Sequence, residues 1–230
     1  LLIGVLAIFL KKPVKKADIE PSVSLIIVAY NEEDVIREKI ENSLDLDYPK
    51  DKLEIIVASD GSTDRTNEIV AEYSSQGVLL NALTPNGGPT SAQNRTVPIA
   101  KGDILVFSDA NVMYRPEAIR KLVRSFNDPK VGGVSGELHF IPSGEDPSER
   151  NETAYWSYET FLKHKESALS SMTGSSGAMY ALRRGLYTPL DEASIGDFAQ
   201  PLKVASQGWR VVYEPEAVST EKLESITARG

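Results

Sequence analysis

Two aspartates, Asp60 and Asp109, each end an apolar run, in "LEIIVASDG" and "ILVFSDAN". Two carboxylates that share a site repel each other unless a cation or a hydrogen-bond donor compensates. A divalent ion with oxygen ligands would do this and would also neutralise a diphosphate. The chain has no cysteine and two isolated histidines, so such an ion would be held mainly by oxygen atoms. Each aspartate also has a local explanation, because Asp60-Gly61 can form a turn and Asp109 can act as a cap.

The elements that must position these aspartates alternate between strand and helix from Ser22 onward. Continuous apolar runs predict buried parallel strands, and stretches with apolar residues at helical spacing follow them. This alternation predicts an α/β fold in which helices flank a mixed, mostly parallel central sheet. The predicted strands span residues 23–30, 53–59, 77–83 and 103–109; the predicted helices span 32–44, 62–73 and 115–126, and a further helix opens in "NGGPTSAQN".

Polar side chains follow three of these strands at the point where each strand ends. Ligands of open α/β sheets bind outside the carboxyl ends of the strands. The polar groups are therefore predicted to meet in one crevice, and this makes a purely local role for both aspartates less favoured. The three strand ends read Tyr30-Asn31-Glu32, Asp60-Gly61-Ser62 and Asp109-Ala110-Asn111.

The chain changes character after about residue 130, and we interpret this part as the second half of one domain. "VGGVSGELHFIP" predicts a strand, and "NETAYWSYETFLKHKES" predicts an amphipathic helix. "SMTGSSGAMYALRR" predicts a Gly/Ser loop that runs into a short strand. "GDFAQPLKVASQGWRVVYEP" predicts a helix that is interrupted near Pro201 and is followed by a strand.

The N-terminus carries ten apolar residues, "LLIGVLAIFL", followed at once by "KKPVKK". A membrane span needs about 20 apolar residues, so this run is too short to cross a bilayer alone. It can be the last half of a transmembrane helix or a short apolar packing helix. The lysines match the positive-inside pattern, which favours the first interpretation and places the chain after Lys16 on the cytoplasmic side. We therefore divide the chain into a membrane-proximal segment, 1–16, and a globular domain, 17–230.

Five motifs, in this order and spacing, resemble the family 2 glycosyltransferases, which have the GT-A fold, and in particular their bacterial or archaeal membrane-associated members. The resemblance runs from about Pro21 to Glu216. It implies an inverting transferase of hexosyl or N-acetylhexosaminyl type that moves a sugar from a nucleotide-diphospho-sugar, usually a uridine diphosphate sugar, to an acceptor hydroxyl. The motifs are "PSVSLIIVAYNEEDVI", "LEIIVASDGSTDRTNEIV", "ILVFSDANV", "GAMYALRR" and "GDFAQPLKVASQGWRVVYEPEA".

The resemblance implies a metal and diphosphate site at Asp109 and Asn111, which stand where the family has an Asp-x-Asp motif for Mg²⁺ or Mn²⁺. Asn111 departs from that motif, because a carboxamide offers a carbonyl oxygen but no charge. Pro89 departs at a second place, where the family often has a lysine; "NGGPTSAQN" can bring backbone close to a ligand or be a flexible turn. The implied nucleotide-binding residues are Ala29, Tyr30, Asn31, Glu32, Asp60, Gly61, Ser62, Asn86, Gly87, Asn94, Ser108 and Asp109.

A catalytic role for Asp197 follows from the same resemblance. An acidic pair at this point in the family supplies the base that takes a proton from the acceptor hydroxyl. The chain reads Gly196-Asp197, so the first acid is absent. Asp197 can also serve as a helix N-cap, and the two roles are compatible. The acceptor or diphosphate side would include Gly177, Arg183 and Arg184, although the two arginines can instead end a strand in solvent.

The implied partners are a nucleotide-sugar donor, a carbohydrate or lipid-linked acceptor, and the membrane through flanking helices. Trp156 and Tyr158 of the predicted amphipathic helix can stack on a sugar or a lipid, or can belong to the core. The family often continues with a Gln-x-x-Arg-Trp motif and membrane helices, which this chain does not reach by Gly230. We therefore expect a fragment shortened at both ends, located at the cytoplasmic face of the cell membrane.

Two other functions remain compatible with the sequence. A sugar nucleotidyltransferase uses a similar sheet, but it needs glycine and basic residues after the first strand, where this chain has "AYNEED". A non-catalytic nucleotide-sugar-binding or scaffold domain would explain Asn111, Pro89 and the missing C-terminal motif. The net charge of −8 argues against a general nucleic-acid binder. No G-x-G-x-x-G follows a predicted strand, which argues against a dinucleotide oxidoreductase.

Overall fold

The computed structural model describes residues 13–141, 167, 171 and 178–222 of the chain. Gly177 and most of the predicted amphipathic helix, including Trp156 and Tyr158, lie outside the described residues. The apolar run at the N-terminus also lies outside them, so its membrane role stays an expectation. Within the described ranges, no helix combines the length and the apolar character that crossing a bilayer requires.

Eight strands of the described chain form one mixed sheet. The strands are β1 (Val23–Ala29), β2 (Leu53–Asp60), β3 (Val78–Leu83), β4 (Ile104–Asp109), β5 (Val112–Tyr114), β6 (Val131–Ile141), β7 (Tyr180–Arg183) and β8 (Arg210–Lys222). Their order across the sheet is β3-β2-β1-β4-β7-β6-β8-β5. The four strands predicted in the first half are confirmed to within one residue at each end. β5 was not predicted, because three residues are too few to show a periodic pattern.

The first half of the sheet is parallel and aligns the strand ends that were predicted to form a rim. β1 lies between β2 and β4 and is parallel to both, with Ala29 beside Ser59 and Val28 beside Asp109. β3 continues the sheet in parallel beyond β2. Since parallel strands point the same way, their carboxyl ends meet at one edge of the sheet.

The second half of the sheet mixes strand directions. β7 is antiparallel to both β4 and β6, whereas β6 and β8 are parallel. β8 contains a bulge: between two paired stretches, β6 advances from Ser135 to Glu137 while β8 advances from Tyr213 to Val218. Beyond this bulge, β8 also pairs antiparallel with β5, which places Glu221 beside the residue that follows Asn111.

Helices are shorter than the sequence pattern predicts. The described helices are α1 (Ile36–Leu44), α2 (Thr66–Ala71), α3 (Gly88–Thr96), α4 (Ala118–Val123) and α5 (Gly196–Ser206). α1 was predicted to begin at residue 32. It begins four residues later because the preceding backbone bonds to the neighbouring loop: Glu32 N–H donates to Thr66 Oγ1 and Glu33 N–H donates to Asp64 Oδ2.

The predicted interruption near Pro201 is wrong. α5 runs without a break from Gly196 to Ser206, with Pro201 inside it. Proline removes only the single bond that its own nitrogen would donate, here to the carbonyl of Asp197. Pro201 and Val204 are both buried against the domain, so packing of this face compensates for the missing bond.

Two apolar cores cover the faces of the sheet, and successive β1 residues enter them alternately. Leu25 and Ile27 belong to the core that contains Ile40 of α1. Ile26 belongs to the opposite core, which contains Ala92 of α3. A fully buried Leu or Ile contributes roughly 1.5–3 kcal/mol, so this double packing holds the ends of β1, β2 and β4 firmly in place.

Residues 13–20 lie along the outside of the domain. Val14 and Ile19 pack against the α1 side of the core. Ala17 N–H donates to the carbonyl of Arg124, and Lys16 Nζ lies 2.8 Å from a carboxylate oxygen of Glu214. Residues 13–20 therefore pack on the domain, and the division of the chain at Lys16 stays a prediction.

Candidate active site

A cavity of about 390 Å³ opens at the carboxyl ends of β1, β2 and β4. Residues from all three predicted strand ends line it, including Tyr30, whose side chain is 51% exposed. Backbone and side chains from the "NGGP" loop close one side. The lining residues are Val28, Tyr30, Glu32, Asp60, Asn86, Gly88, Pro89, Asp109, Ala110 and Asn111.

Asn31 connects the ends of β1 and β2. Its φ of 54° is in the left-handed region, which ends the strand and turns the chain sharply. Its backbone N–H donates to Ser62 Oγ at 3.1 Å, and its Oδ1 accepts the N–H of Thr63 at 2.8 Å. Ser59 Oγ donates to the same Ser62 hydroxyl at 2.9 Å. Asn31 and Ser62 thus support the rim, and their predicted contact with a nucleotide stays a prediction.

Asp60 is almost fully buried and organises the loop before α3. Its carboxylate accepts the backbone N–H of Gly87 at 3.1 Å and that of Gly88 at 2.7 Å, and its carbonyl accepts Asn86 Nδ2 at 2.7 Å. Gly61 permits this approach, because a Cβ there would lie 2.8 Å from the nitrogen of Asn86 and its φ is 76°. A carboxylate at a helix N-terminus is also favourable electrostatically. Asp60 therefore shapes the cavity wall that it lines.

Asp109 lies at the end of β4, where several carboxylates come together. Its side chain is exposed to solvent at the cavity, and the pKa of Asp109 is raised to about 6. Desolvation is the largest cause, followed by the negative charges of Glu221 and Asp197 and, more weakly, Glu32, whereas Lys39 lowers the pKa. A cation placed here would relieve the repulsion and favour the ionised carboxylate.

Lys39 is a site residue that the sequence analysis missed. It is fully buried, and its Nζ donates to Ser108 Oγ at 2.8 Å and to the carbonyl of Val112, and lies 4.1 Å from the ring centre of Tyr114. Burial lowers the pKa of Lys39 to about 7, and the charge of Asp109 acts in the opposite direction. Lys39 therefore ties the end of β4 to the start of β5. The Ser108 hydroxyl, predicted to contact the nucleotide, accepts one of these hydrogen bonds.

Glu221 is a second residue that the sequence did not reveal. Asn111 Nδ2 donates to Glu221 Oε1 at 2.9 Å, across a sequence separation of 110 residues. The pairing of β5 with β8 brings the two residues together. No local pattern in the sequence links them, because the contact depends on where β8 falls in the sheet.

Asp197 is the second residue of α5, and its negative charge raises the pKa of both Asp109 and the buried Tyr180. The segment before α5 is bonded to the first turn of α3, because Thr90 Oγ1 donates to the carbonyl of Ser194 at 2.7 Å, and Gly88 and Pro89 of that turn line the cavity. The alternative role as a helix N-cap is wrong: Ile195 occupies the N-cap position, and no side-chain hydrogen bond caps this helix.

Gly196 stands where the resemblance implies the first acid of a pair. A Cβ at this position would lie 3.0 Å from Gln93 Oε1, the atom that accepts the hydroxyl of Tyr180 at 3.0 Å. α5 therefore approaches α3 too closely for a larger side chain unless Gln93 moves. The missing acid corresponds to a close helix contact and leaves Asp197 as the acidic residue at the start of this helix.

Comparison with known families matches residues 24–189 to Glycosyl transferase family 2. The chain belongs to this family. The probable glycosyltransferase YdaM of Bacillus subtilis (strain 168) is 30% identical over 220 residues, which are 88% of this chain and 51% of that protein. The beta-monoglucosyldiacylglycerol synthase of Nostoc sp. (strain PCC 7120 / SAG 25.82 / UTEX 2576) is 29% identical over 168 residues, which are 71% of this chain and 36% of that protein.

Structural similarity confirms the predicted GT-A fold. The mannosyltransferase PcManGT from Pyrobaculum calidifontis, solved in complex with GDP-Man and Mn²⁺, superposes with a TM-score of 0.82 at 26% identity. That match covers 100% of this chain and 65% of the mannosyltransferase. The chain spans about half the length, or less, of the two curated relatives described above.

The family 2 cleft has donors that fit a divalent cation. The described residues contain no group of three or more His, Asp or Glu side chains arranged to hold a metal by themselves. Mg²⁺, however, is commonly bound through one or two carboxylates together with substrate phosphates and water. Asp109 supplies such a carboxylate in a negative environment, and Asn111 supplies a carbonyl oxygen at the same cavity.

Three residues that were predicted for the site lie elsewhere in this family 2 domain. Asn94 uses its carboxamide to hold the segment before α5: it donates to the carbonyl of Leu190 at 2.8 Å and accepts the hydroxyl of Tyr187 at 2.8 Å. Arg183 pairs with Ile104, at the amino end of β4, so it lies about 17 Å along the strand from the rim.

The positions of Arg183 and Arg184 therefore do not support the expected anion contact. The guanidinium of Arg183 donates to the carbonyls of Val131 and Phe126, at 2.8 and 2.7 Å. The backbone of Arg184 bonds to the carbonyl of Asp103, at the same far edge of the sheet. Arg183 is the last residue of β7 and Arg184 follows it; β7 runs antiparallel to β4 and so ends at the opposite edge.

Proposed function

We propose that this domain transfers a sugar from a nucleotide-diphospho-sugar to an acceptor hydroxyl, with inversion at the anomeric carbon and with help from Mg²⁺ or Mn²⁺. The observation that carries the proposal is the proximity of two carboxylates with different surroundings. Asp109 faces the cavity at a strand end, and Asp197 begins a helix whose first residue, Gly196, packs against α3 beside that cavity. Asp109 is suited to hold a cation beside the donor diphosphate, and Asp197 is suited to accept the proton of the acceptor hydroxyl.

The donor would lie along the carboxyl ends of β1, β2 and β4. Tyr30 offers an exposed aromatic face to a base, and the wall shaped by Asp60 closes the opposite side. Asp109 and Asn111 would hold the metal, which when bound supplies positive charge to the departing diphosphate. The negative surroundings of Asp109 would disfavour a bare diphosphate, so we expect donor and metal to bind together.

Asp197 would act on the acceptor. In the inverting reaction, the acceptor oxygen attacks the anomeric carbon from the face opposite the diphosphate, and its proton passes to the carboxylate of Asp197. The position of Asp197 at the start of a helix packed on the sheet supports this role, because a general base must be held in a fixed geometry. Gly196 brings the helix close to α3 and so helps to set that position.

The nature of donor and acceptor belongs to the same proposal. We expect a uridine diphosphate hexose or N-acetylhexosamine as donor, with a guanosine diphosphate sugar as the main competitor. A carbohydrate or lipid-linked acceptor, presented at the cytoplasmic face of the cell membrane, fits the basic segment that follows the apolar N-terminus. PcManGT was solved with GDP-Man, and the Nostoc relative is named for a glycolipid product, which supports testing both donor classes and a lipid acceptor.

Calorimetry on the full-length protein tests the donor half of the proposal. Titrations with UDP- and GDP-sugars in Mn²⁺, in Mg²⁺ and in chelator should show metal-dependent binding of one donor class. Asp109→Asn should abolish the metal dependence. Asp103→Asn, the same change at the other end of β4, is the matched control and should bind as the wild type does. Equal donor affinity in wild type and Asp109→Asn would contradict the proposed site.

A transfer assay on the same proteins tests the acceptor half. Asp197→Asn should retain donor binding and lose transfer by about 10²–10⁴-fold, the range expected for a general base. The anomeric configuration of the product, measured by NMR, should be opposite to that of the donor. Unchanged turnover in Asp197→Asn would remove it as the base. Donor binding without transfer to any acceptor in the wild type would instead identify a binding or scaffold domain.

A further inference from the structure

Asn111 raises a problem of charge at the proposed metal site. It lines the cavity next to Asp109, but it is neutral where an Asp-x-Asp motif would bring a second carboxylate. A primary carboxamide can also present either its NH₂ group or its carbonyl oxygen to a ligand. Only the carbonyl oxygen is useful to a cation, so something must set the orientation of the amide.

Glu221 sets that orientation. It arrives from the far end of the chain because β8 pairs with β5, and its Oε1 accepts Asn111 Nδ2 at 2.9 Å. An ionised carboxylate accepts hydrogen bonds but cannot donate them, so the NH₂ branch of Asn111 must face Glu221. The carbonyl oxygen then lies on the other branch of the amide, away from Glu221.

Glu221 also brings a negative charge to the neighbourhood of Asp109. Its backbone pairs with Val112 and its carboxylate holds the side chain of Asn111, which is two residues from Asp109. The pair Asn111–Glu221 thus contains the two elements of a second motif aspartate in separate residues: an oxygen on Asn111 and a negative charge on Glu221. Such supporting groups behind a metal ligand commonly change metal affinity by about 10–100-fold.

We propose that Glu221 is a positioning residue for the metal and diphosphate site, which orients the carbonyl of Asn111 and supplies the charge that Asn111 lacks. This inference rests on the proposed function, since it requires that the cleft bind a divalent cation. It makes Asn111 and Glu221 a coupled pair: the effect of changing one depends on the identity of the other.

Four variants of the full-length protein separate orientation from charge. Glu221→Ala removes both, and Glu221→Gln keeps an acceptor for Asn111 but removes the charge. Asn111→Asp alone places two carboxylates against each other, whereas Asn111→Asp combined with Glu221→Gln moves the charge onto position 111 and provides an amide to hold it. Glu38→Gln is the control, because Glu38 is an exposed carboxylate that pairs with the adjacent Lys222.

The measurement is Mn²⁺ affinity, by electron paramagnetic resonance and calorimetry, with UDP and with GDP as co-ligands. Glu221→Ala should weaken Mn²⁺ binding by about 10–100-fold and Glu221→Gln by less. Asn111→Asp should bind no more tightly than wild type, and the double variant should recover wild-type affinity or better. Glu38→Gln should change nothing. Thermal unfolding in chelator checks that each variant is folded.

Two results would overturn the inference while leaving the proposed function intact: wild-type Mn²⁺ affinity in Glu221→Ala, or strictly additive effects of Asn111→Asp and Glu221→Gln. The additive result counts because a merely structural Glu221 would not be rescued by a change at its partner. Failure of the wild-type protein to bind Mn²⁺ with either diphosphate would overturn the proposed function, and the role of Glu221 with it.

Discussion

Two acidic regions of this domain shift the pKa values of their carboxyl groups in opposite directions. In the first, which we call the paired cluster, Glu214 and Glu216 meet Arg124, Lys16 and Lys121. Arg124 donates to both oxygens of Glu214, at 2.8 and 2.9 Å, and also to Glu216. Burial acts to raise the pKa of Glu214, but hydrogen bonds from Arg124 and Lys16 outweigh it and hold this pKa below its ordinary value. Hydrogen bonds from Arg124 and Lys121 lower the pKa of Glu216 to about 2.

The second region, which we call the acidic cleft, consists of Glu32, Asp109, Asp197 and Glu221. Here desolvation and neighbouring carboxylates raise the pKa of Asp109 to about 6. Protein cations therefore outweigh burial in the paired cluster, whereas at Asp109 burial and neighbouring carboxylates outweigh the charge of Lys39. In the paired cluster, cations of the folded chain compensate the carboxylate charge. The acidic cleft is instead suited to bind an external cation.

We expect the largest loss of stability from Arg124→Met, which removes the main cation of the paired cluster. Glu214 is fully buried, and removing one partner of a buried ion pair costs about 3 kcal/mol or more. For a chain of this size, the midpoint of thermal unfolding should fall by roughly 6–12 °C. Differential scanning calorimetry measures this directly, and a midpoint within about 1 °C of wild type would show that the cluster adds no stability.

Acid should weaken the paired cluster selectively. Because the folded pKa values of Glu214 and Glu216 lie below their unfolded values near 4.3, these residues stabilise the fold above that pH. That stability is lost as pH falls through the folded values, between about pH 4.5 and pH 2. The gap in unfolding midpoint between wild type and Arg124→Met should therefore narrow by several degrees over this range. A gap that stays constant would contradict the assigned pKa shifts.

Neutralising the acidic cleft should have the opposite sign. The folded pKa of Asp109, about 6, lies above its unfolded value near 3.9, so ionisation destabilises the metal-free fold as pH rises between these values. Asp109→Asn in chelator should raise the unfolding midpoint at pH 7.5 by up to about 2 °C. The gain should disappear at pH 4, where the wild-type carboxyl group is protonated in the folded state. A loss of stability in Asp109→Asn at pH 7.5 would contradict repulsion between Asp109 and the neighbouring carboxylates.

The smallest loss of stability is expected from Lys121→Met at the edge of the paired cluster. Its bond to Glu216 is 3.1 Å long, but both side chains are at least one-third exposed. Exposed ion pairs contribute about 0.2–1 kcal/mol, so the unfolding midpoint should fall by less than about 4 °C. A change as large as that of Arg124→Met would contradict the expectation that the exposed ion pair contributes less stability than the buried one.

Much of the fold and part of the site could be predicted from local patterns. The apolar runs of β1 to β4 identify the strands, and a parallel sheet necessarily brings their ends to one edge, so the convergence of Asp60 and Asp109 followed from the sequence. The family resemblance then supplied roles for Asp109, Asn111 and Asp197. Gly196 departs from the family pattern, and the structure provides the reason, a close approach of α5 to α3.

The missed residues depend on contacts that no local pattern encodes. Lys39 lies among charged residues on α1 and looks like a solvent-exposed position, yet it is buried under the β4–β5 turn. Glu221 depends on the pairing of the unpredicted β5 with β8. The family resemblance implied a place for Arg183 on the acceptor or diphosphate side, but the antiparallel direction of β7 places it at the far edge of the sheet. The direction of β7 decided the position of Arg183, the pairing of β5 with β8 decided that of Glu221, and the packing of α1 under β4 and β5 decided that of Lys39.

The bulge in β8 has a consequence for variation by insertion and deletion. Glu214 and Glu216 lie within the bulge, and Glu221 lies just beyond it on the same strand. Deleting one residue between Tyr213 and Val218 would move Glu221 by about 3.3 Å and turn it to the other face of the sheet. The charge at the cleft thus depends on backbone length at a distance, and a deletion here would alter the cleft without changing any residue that lines it.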